Sequence, residues 1–243
     1  MSPFGSRQLS GAEIERSRNF GSSDNMLTFE KKAACKGFSV IAGTDEAGRG
    51  PLAGPVVAAA VILPNDFPVS GVNDSKKLTA KKREYLYDKI YEHAVSVGIG
   101  IVDAAEIDRI NILRAALLAM SFAVENLSPQ PDYLLIDGTF RIPSRISQEP
   151  VVHGDSLSLS IAAASVIAKV SRDRLMAQYH TDYPRFGFSA HKGYPTPAHK
   201  EAIRKFGPCP IHRLTFKGVQ DYTGLYRIIQ DYRMMPVIER SRN

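Results

Sequence analysis

Several features that define common protein classes are missing or scarce in this sequence. The 243 residues contain no tryptophan and only two cysteines, Cys35 and Cys209. Two isolated cysteines match neither a zinc-binding spacing nor a disulfide framework, so we expect a reducing, cytoplasmic location. No apolar run approaches the roughly 18 residues that are needed to span a bilayer. A membrane protein and a disulfide-stabilised secreted protein are therefore not expected.

The sequence also lacks the motifs of the commonest nucleotide and zinc sites. Neither a GxGxxG loop nor a GxxxxGK[ST] loop occurs, which removes the two most frequent nucleotide-binding interpretations. The histidines show no HxxxH or HExxH spacing, which argues against a zinc hydrolase. Structural or loop roles are therefore favoured for four of them, His153, His191, His199 and His212.

The composition is that of an ordinary globular protein. Hydrophobic residues make up 44% and charged residues 23% of the chain. Lys and Arg number 31 against 25 Asp and Glu, giving a net charge of +6. An excess of this size permits a polyanionic partner without requiring one. The length fits one large domain, and no internal repeat is visible.

Alternating apolar stretches and turn residues predict a mixed sheet covered by helices. Runs rich in β-branched and apolar residues predict five strands, at 38–45, 54–63, 95–102, 132–137 and 149–153. Helical spacing of apolar residues predicts a short helix that is closed by Gly37, a helix capped by Thr79, one or two helices over 103–127, a long helix over 156–180 and a later one at "PTPAHKEAIRKFG". Three early strands with short links, then strands alternating with helices, favour this architecture.

Carboxylates follow several of these buried strands directly. Asp45 and Glu46 end the first strand, Asp137 ends "DYLLID", and Asp155 follows "PVVHG". Strands that end on the same edge of a sheet would bring these acids into one cleft. Carboxylates held close together repel each other, and a hard divalent cation relieves that repulsion. Oxygen ligands alone select Mg²⁺ or Mn²⁺, and two such ions about 4 Å apart support phosphodiester cleavage.

Position alone does not select the full set of acids. A single Asp at a strand end is more often a helix cap, a turn residue or a salt-bridge partner. Five other aspartates also lie near predicted element ends: Asp66, Asp74, Asp103, Asp108 and Asp132. The adjacent pair Asp45 and Glu46 is more specific, because the glycine-rich turn "GRG" follows it almost at once.

Six sequence blocks together resemble the bacterial ribonuclease HII family. They are "GTDEAGRGPLAGPVVAAAVIL", "NDSKKL", "LLIDG", "HGDSLSLSIAAASVIAKVSRDRLM", "HKGYPTPAH" and "FGPCPIHRLTF", which occur in the family's order and cover roughly residues 27–217. The resemblance implies an α/β, RNase H-like fold, a mixed five-stranded sheet flanked by helices, with a C-terminal helical segment. Residues 1–25 are polar and rich in Ser, Gly and Arg, so we expect a flexible tail there. A catalytic domain at 26–217 and a C-terminal helical segment and tail at 218–243 are expected to follow.

The resemblance also implies an activity. Such an enzyme hydrolyses the RNA strand of RNA–DNA hybrids and incises duplex DNA 5′ of embedded ribonucleotides, leaving a 3′-hydroxyl and a 5′-phosphate. The implied cofactors are Mg²⁺ or Mn²⁺ in a two-metal site, and the implied partners are these nucleic acids. We expect no membrane association and a monomer. Ribonuclease HIII, a relative, is disfavoured because its fourth acid is Glu where this chain has Asp155, and because its N-terminal domain has no counterpart in 1–25.

Site residues follow from the same motifs. The family's catalytic, metal-binding acids match Asp45, Glu46, Asp137 and Asp155. Its ribose-contacting turn matches Gly48, Arg49 and Gly50, where bare backbone suits contact with a 2′-hydroxyl. Tyr194 matches a tyrosine that packs on the next deoxyribose, and Lys76 matches a phosphate contact. Weaker substrate-binding candidates are Lys77, Lys169, Arg172, Arg174, His191 and Lys192.

Two other functional classes compete with this interpretation. A nucleic-acid-binding module without activity is opposed by the four acids, which would repel phosphate. A small-molecule phosphohydrolase would need neither a ribose-contacting glycine turn nor a basic surface.

Overall fold

A computed structural model describes residues 26–68, 71–72, 75–76 and 78–222 of the protein. The predicted N-terminal tail, most of the predicted C-terminal segment and the candidate Lys77 lie outside the described residues. Among the described residues, none of the helices combines the length and the hydrophobicity of a membrane-spanning segment.

Five strands form one mixed sheet, as predicted. They are β1 (Ile41–Ala47), β2 (Val56–Ile62), β3 (Ser96–Val102), β4 (Tyr133–Asp137) and β5 (Ser147–Val151). Their order across the sheet is β3-β2-β1-β4-β5. β1 and β3 each pair antiparallel with β2, whereas β4 pairs in parallel with both β1 and β5. The carboxyl ends of β1, β4 and β5 therefore lie along one edge.

Helices cover both faces of this sheet. They are α1 (Thr28–Cys35), α2 (Ala80–His93), α3 (Ala104–Ile110), α4 (Ile112–Glu125), α5 (Leu159–Asp182), α6 (Phe188–His191) and α7 (Pro197–Phe206). The predicted cap is present, since the Thr79 hydroxyl accepts from the Lys82 N–H at 3.2 Å. The helical stretch at 103–127 is split at Asn111, which has φ 71° and caps α4. The long helix begins at Leu159 because Gly154–Ser156 forms a separate 3₁₀ turn.

The strand β2 shows why its sequence is apolar throughout. Ala58 and Ala60 pack with Met120 of α4 on one face, and Ala59 and Val61 pack on the other face. All seven residues of the strand are buried. A strand covered on both faces needs a continuous apolar run rather than an alternating one.

Close packing of α5 onto β1 positions the acid-bearing edge. A Cβ added at Gly43 would lie 2.2 Å from the backbone carbon of Ser160, so only glycine allows this approach. The helix then runs beside the strand and brings Ser165 to Asp45. The packing of one helix on one strand thus sets the surroundings of the first acid.

Candidate active site

The four predicted acids lie at one edge of the sheet. Asp45 is in β1 and Asp137 ends β4, each one residue beyond the last registered pair of these parallel strands, Thr44 and Ile136. Asp155 lies in the 3₁₀ turn that follows β5. The edge opens into a cavity of about 420 Å³, whose lining includes Asp45, Glu46 and Asp137.

Burial and mutual repulsion oppose ionisation of these carboxyls. Asp45 is only 4% exposed. Its pKa is raised well above the usual value, first by burial and then by the charges of Glu46 and Asp137. Burial also raises the pKa of Glu46, although the Arg49 guanidinium, 3.2 Å away, acts to lower it. Burial therefore outweighs the single ion pair that Arg49 forms with Glu46, and these carboxyls resist ionisation.

Asp137 and Asp155 are oriented by their own surroundings. The Asp137 carboxylate accepts the Gly154 N–H at 2.8 Å and the Asp155 N–H at 3.4 Å. Burial and the charge of Asp155 nevertheless raise the pKa of Asp137. The Asp155 carboxylate lies 3.6 Å from the Lys76 ammonium. The turn after β5 therefore orients Asp137 through its N–H groups and also carries Asp155.

The donor chemistry of this edge fits a hard divalent cation. Within the described part of the chain, no cluster of three or more His, Cys, Asp or Glu side chains has the arrangement of a formed metal centre. Asp137 accepts a backbone N–H, and Asp155 lies beside Lys76. The acids nevertheless supply oxygen donors alone, and three of them have raised pKa values that a nearby cation would lower.

The predicted glycine turn lines the same cavity as the acids. Gly48 has φ +102°, and a Cβ there would lie 2.1 Å from the Arg172 Nε atom. A side chain at this position is therefore excluded both by the backbone conformation and by lack of space. Arg49 is half-exposed and pairs with Glu46. Bare backbone thus lies directly beside the acids.

Tyr194 lies beside this turn. It is 44% exposed, and its Cε1 atom lies 3.7 Å from the Cβ position of Gly50. Its backbone carbonyl accepts from His199 Nδ1 at 2.9 Å, and His199 Nε2 lies 3.1 Å from His212 Nε2. His191 likewise has a structural role, since its Nε2 donates to the Phe186 carbonyl. These histidines support the tyrosine loop, as their lack of metal-binding spacing predicted.

The weaker basic candidates occupy different environments. Lys169 pairs with Asp173 at 2.6 Å and also lines the cavity. Arg174 pairs with Glu84 at 2.6 Å and lies over the Tyr87 ring. Lys192 is half-buried with φ 52°.

Arg172 is placed differently from the prediction. The sequence suggested a phosphate contact late on the long helix, but the side chain is only 1% exposed. Its guanidinium donates to the carbonyls of Ala53, Pro55 and Lys192. Although Arg172 belongs to the lining of the cavity, its guanidinium is directed to backbone carbonyls rather than exposed to a phosphate. The reason is its position on the inner face of α5, in line with Ser165 and Met176.

Three further residues of the site are not predicted from the sequence: Ser75, Ser165 and Arg213. Ser165 hydrogen-bonds Asp45, and its hydroxyl lies 2.8 Å from that of Ser75. Arg213 is 0% exposed and donates to four carbonyls between Gly48 and Gly54. A hydroxyl inside the apolar run "AAASVIA" was the available signal for Ser165. Arg213 gave none beyond its place in the block "FGPCPIHRLTF".

Three of the competing aspartates have structural roles instead. Asp103 accepts from the Glu106 N–H and caps α3. Asp108 accepts from the N–H groups of Leu214 and Thr215. Asp132 accepts from the N–H groups of Ser39 and Val40. These contacts explain acids near element ends that lie outside the cavity.

Comparison with known proteins gives a consistent result. The family model described as Ribonuclease HII matches residues 42–219. A curated ribonuclease HII from Geotalea uraniireducens is 59% identical over 198 residues, which are 82% of this chain and 92% of that protein.

Solved structures give the same result at the level of the fold. The ribonuclease H2 from Pyrococcus horikoshii superposes with a TM-score of 0.65 at 28% identity, covering 78% of this chain and 99% of that one. The ribonuclease HII of a PCNA complex from Archaeoglobus fulgidus gives a TM-score of 0.60 at 25% identity, covering 74% of this chain and 96% of that one.

Proposed function

This chain belongs to the ribonuclease HII family, and we propose that it incises duplex DNA 5′ of embedded ribonucleotides and hydrolyses the RNA strand of RNA–DNA hybrids. The family assignment makes it a ribonuclease H-type endonuclease that acts on nucleic acid. The observation that carries the finer proposal is the shared cavity, in which buried acids and the bare Gly48–Gly50 backbone line one space with Tyr194.

The acids are proposed to bind the catalytic metal ions. Asp45, Glu46, Asp137 and Asp155 would hold Mg²⁺ or Mn²⁺ in a two-metal site. Such ions supply charge that stabilises the scissile phosphate and lowers the pKa of an attacking water. The products are then a 3′-hydroxyl and a 5′-phosphate. The raised pKa values of Asp45, Glu46 and Asp137 support this assignment, because buried carboxyls of this kind favour a cation.

Neighbouring side chains are proposed to hold these acids in place. The Ser165 hydroxyl hydrogen-bonds Asp45, and the Gly154 and Asp155 amides orient Asp137. Lys76 lies 3.6 Å from Asp155 with a largely exposed side chain, so it can offset that charge and also meet a phosphate. The chain's own contribution is thus fixed geometry and a balance of charge around the reacting phosphate.

Recognition of the sugar is assigned to the opposite wall of the cavity. Peptide groups at Gly48–Gly50 would hydrogen-bond a 2′-hydroxyl, the group that distinguishes RNA from DNA. The Tyr194 ring lies beside Gly50. It would pack on the deoxyribose that follows. A ribonucleotide followed by a deoxyribonucleotide would therefore be the preferred site of cleavage.

One assay tests the proposal against its rivals. The protein is incubated with a duplex that carries a single ribonucleotide, with Mg²⁺, with Mn²⁺ or with chelator, and Asp45→Asn is assayed beside it. We expect a nick 5′ of the ribonucleotide with either metal, none with chelator, and a loss of about 10³-fold or more in Asp45→Asn. Binding without any nick would favour the inactive binding module and overturn the proposal.

A further inference from the structure

Two arginines lie buried beneath the proposed ribose-recognition wall. Arg172 is 1% exposed and Arg213 is 0% exposed. A buried guanidinium is costly unless its donors are satisfied, so the partners of these two groups are informative. They belong to distant parts of the chain, α5 and the loop after α7, yet both reach the segment that follows β1.

Among the described residues, these guanidiniums donate seven hydrogen bonds, and each ends on a backbone carbonyl. Arg213 donates to the carbonyl oxygens of Gly48 at 2.6 Å, Arg49 at 3.0 Å, Pro51 at 2.8 Å and Gly54 at 3.0 Å. Arg172 donates to those of Ala53 at 3.1 Å, Pro55 at 3.0 Å and Lys192 at 3.0 Å. Only arginine offers five donors in a planar fork, so lysine cannot reproduce either set.

The two sets of contacts have different consequences. Arg213 bonds within the glycine turn itself and so fixes the orientation of its peptide planes. Arg172 bonds to two separate segments of that wall. One is the segment after the turn, and the other is Lys192, two residues before Tyr194. The backbone reinforces this link, since the Leu52 N–H donates to the Gly193 carbonyl at 2.8 Å. Arg172 thus spans the distance between the turn and the tyrosine.

Glycine at position 48 is required by the same arrangement. Its missing Cβ would lie 2.1 Å from the Arg172 Nε atom and 2.9 Å from the Pro55 carbonyl oxygen. The turn therefore accommodates the buried guanidinium on its inner side as well as presenting bare backbone to the cavity.

We propose that Arg172 and Arg213 are positioning residues that set the selectivity for ribonucleotides, by holding the Gly48–Gly50 turn and the Tyr194 ring at a fixed separation. This inference rests on the proposed function of that wall. Neither arginine contacts the substrate, and each acts through the backbone it binds. A sugar is recognised by two groups at once only if their spacing is constant.

The test compares two substrates in one set of variants. Initial rates are measured on a duplex with a single embedded ribonucleotide and on a hybrid with a continuous RNA strand. Arg172→Lys and Arg213→Lys should lower the ratio of the first rate to the second by about 10-fold or more, because small displacements in a site reduce rates steeply. The matched control, Arg109→Lys, changes an exposed arginine outside the cavity and should leave the ratio unchanged.

A ratio separates positioning from simple loss of folded protein. Partial unfolding lowers both rates equally and leaves the ratio intact. Arg172→Met, which removes the buried charge at similar length, is a second variant for which we expect the same fall. Unchanged ratios in all three folded variants would overturn the inference. A wild-type enzyme that nicks neither substrate would instead overturn the proposed function.

A double-mutant cycle examines whether Arg172 acts through Tyr194. If it does, Tyr194→Ala should cost less on the single-ribonucleotide duplex in the Arg172→Lys background than in the wild type. Strictly additive losses would show that the two residues act independently and would contradict the proposed link.

Discussion

At the scale of single residues, the acids and Tyr194 divide the proposed chemistry between two walls of one cavity. The ring of Tyr194 is 44% exposed and lines the cavity, so its face is accessible to a sugar. Its hydroxyl adds a polar end to an apolar face. These two properties can be separated by substitution.

We expect the ring of Tyr194 to matter more than its hydroxyl. Tyr194→Ala should slow cleavage at a single embedded ribonucleotide by about 10-fold to 100-fold, the usual cost of losing an aromatic packing surface. Tyr194→Phe should retain most of the rate. Gel-based initial rates on a duplex with one ribonucleotide measure both. Tyr85→Ala, a similarly exposed tyrosine on α2, is the control. Normal rates in both Tyr194 variants would remove the ring from the proposal.

The histidines under Tyr194 are held in defined tautomers. The Tyr194 carbonyl can only accept, so His199 carries its proton on Nδ1 and accepts at Nε2 from His212 Nε2–H. His212 Nδ1 in turn accepts the Cys209 N–H at 2.9 Å. Burial is the main cause that lowers the pKa of His199 to about 4 and that of His212 to about 3. The hydrogen-bonded pair of His199 and His212 is therefore neutral at physiological pH.

This arrangement makes a spectroscopic prediction. Between pH 8 and about 5.5, the ring resonances of His199 and His212 should not titrate, because both pKa values lie below that window. Nitrogen-15 shifts should show a protonated Nδ1 in His199 and a protonated Nε2 in His212. Assignment uses the single variants His199→Gln and His212→Gln. A titration midpoint near pH 6.5 for either ring would contradict the lowering of its pKa by burial.

At the scale of elements, the packing of α5 on β1 joins the fold to the site. The contact depends on Gly43, whose absent Cβ would meet the Ser160 backbone at 2.2 Å. The same helix carries Ser165 to Asp45 and Arg172 to the segment after the turn. A displacement of α5 would therefore move both walls of the cavity.

Gly43→Ala is expected to destabilise the fold by about 3 kcal/mol or more, because a helix backbone cannot give way as a flexible side chain can. The control is Gly37→Ala, at a helix end with φ +95° and nothing within 4 Å of its Cβ position. That change should cost only about 1–2 kcal/mol of backbone strain. Urea unfolding of both variants gives the comparison. If Gly43→Ala lost no more stability than Gly37→Ala, α5 would not pack on β1 this closely.

Much of the element pattern was available in the sequence. Five apolar runs predicted the five strands, and Thr79 was correctly predicted as a helix cap. The charge of Arg172 favours a surface position, but its spacing favours the inner face of α5, since Ser165 seven residues before it and Met176 four residues after it are also buried. Arg213 could not be found, since the carbonyls that it binds become neighbours only when distant segments meet.

At the scale of the whole molecule, a basic protein carries a buried acidic edge. Burial is the leading cause that raises the pKa values of Asp45, Glu46 and Asp137. An acid whose folded pKa exceeds its unfolded value binds protons more readily in the native state. Its stabilising contribution is present at low pH and is lost as pH rises through the folded pKa. Without metal, these acids should therefore weaken the fold at neutral pH.

Asp45→Asn should accordingly raise stability while it abolishes cleavage. With chelator at pH 7, we expect its Tm to exceed that of the wild type by about 2–6 °C, and the gap to shrink as pH falls toward 4. Mg²⁺ or Mn²⁺ should raise the wild-type Tm more than that of the variant, because the bound ion stabilises only a fold that can hold it. Thermal unfolding at several pH values measures all of these differences.

Asp132→Asn provides a control with the opposite sign. Although burial acts to raise the pKa of Asp132, hydrogen bonds from the Ser39 and Val40 N–H groups lower it overall. Its stabilising contribution is present above the unfolded pKa and is lost as pH falls through the folded one. Asp132→Asn should therefore lower the Tm at pH 7 and respond to metal as the wild type does. If Asp45→Asn also lowered the Tm under chelation, ionised Asp45 would not destabilise the metal-free fold as its burial implies.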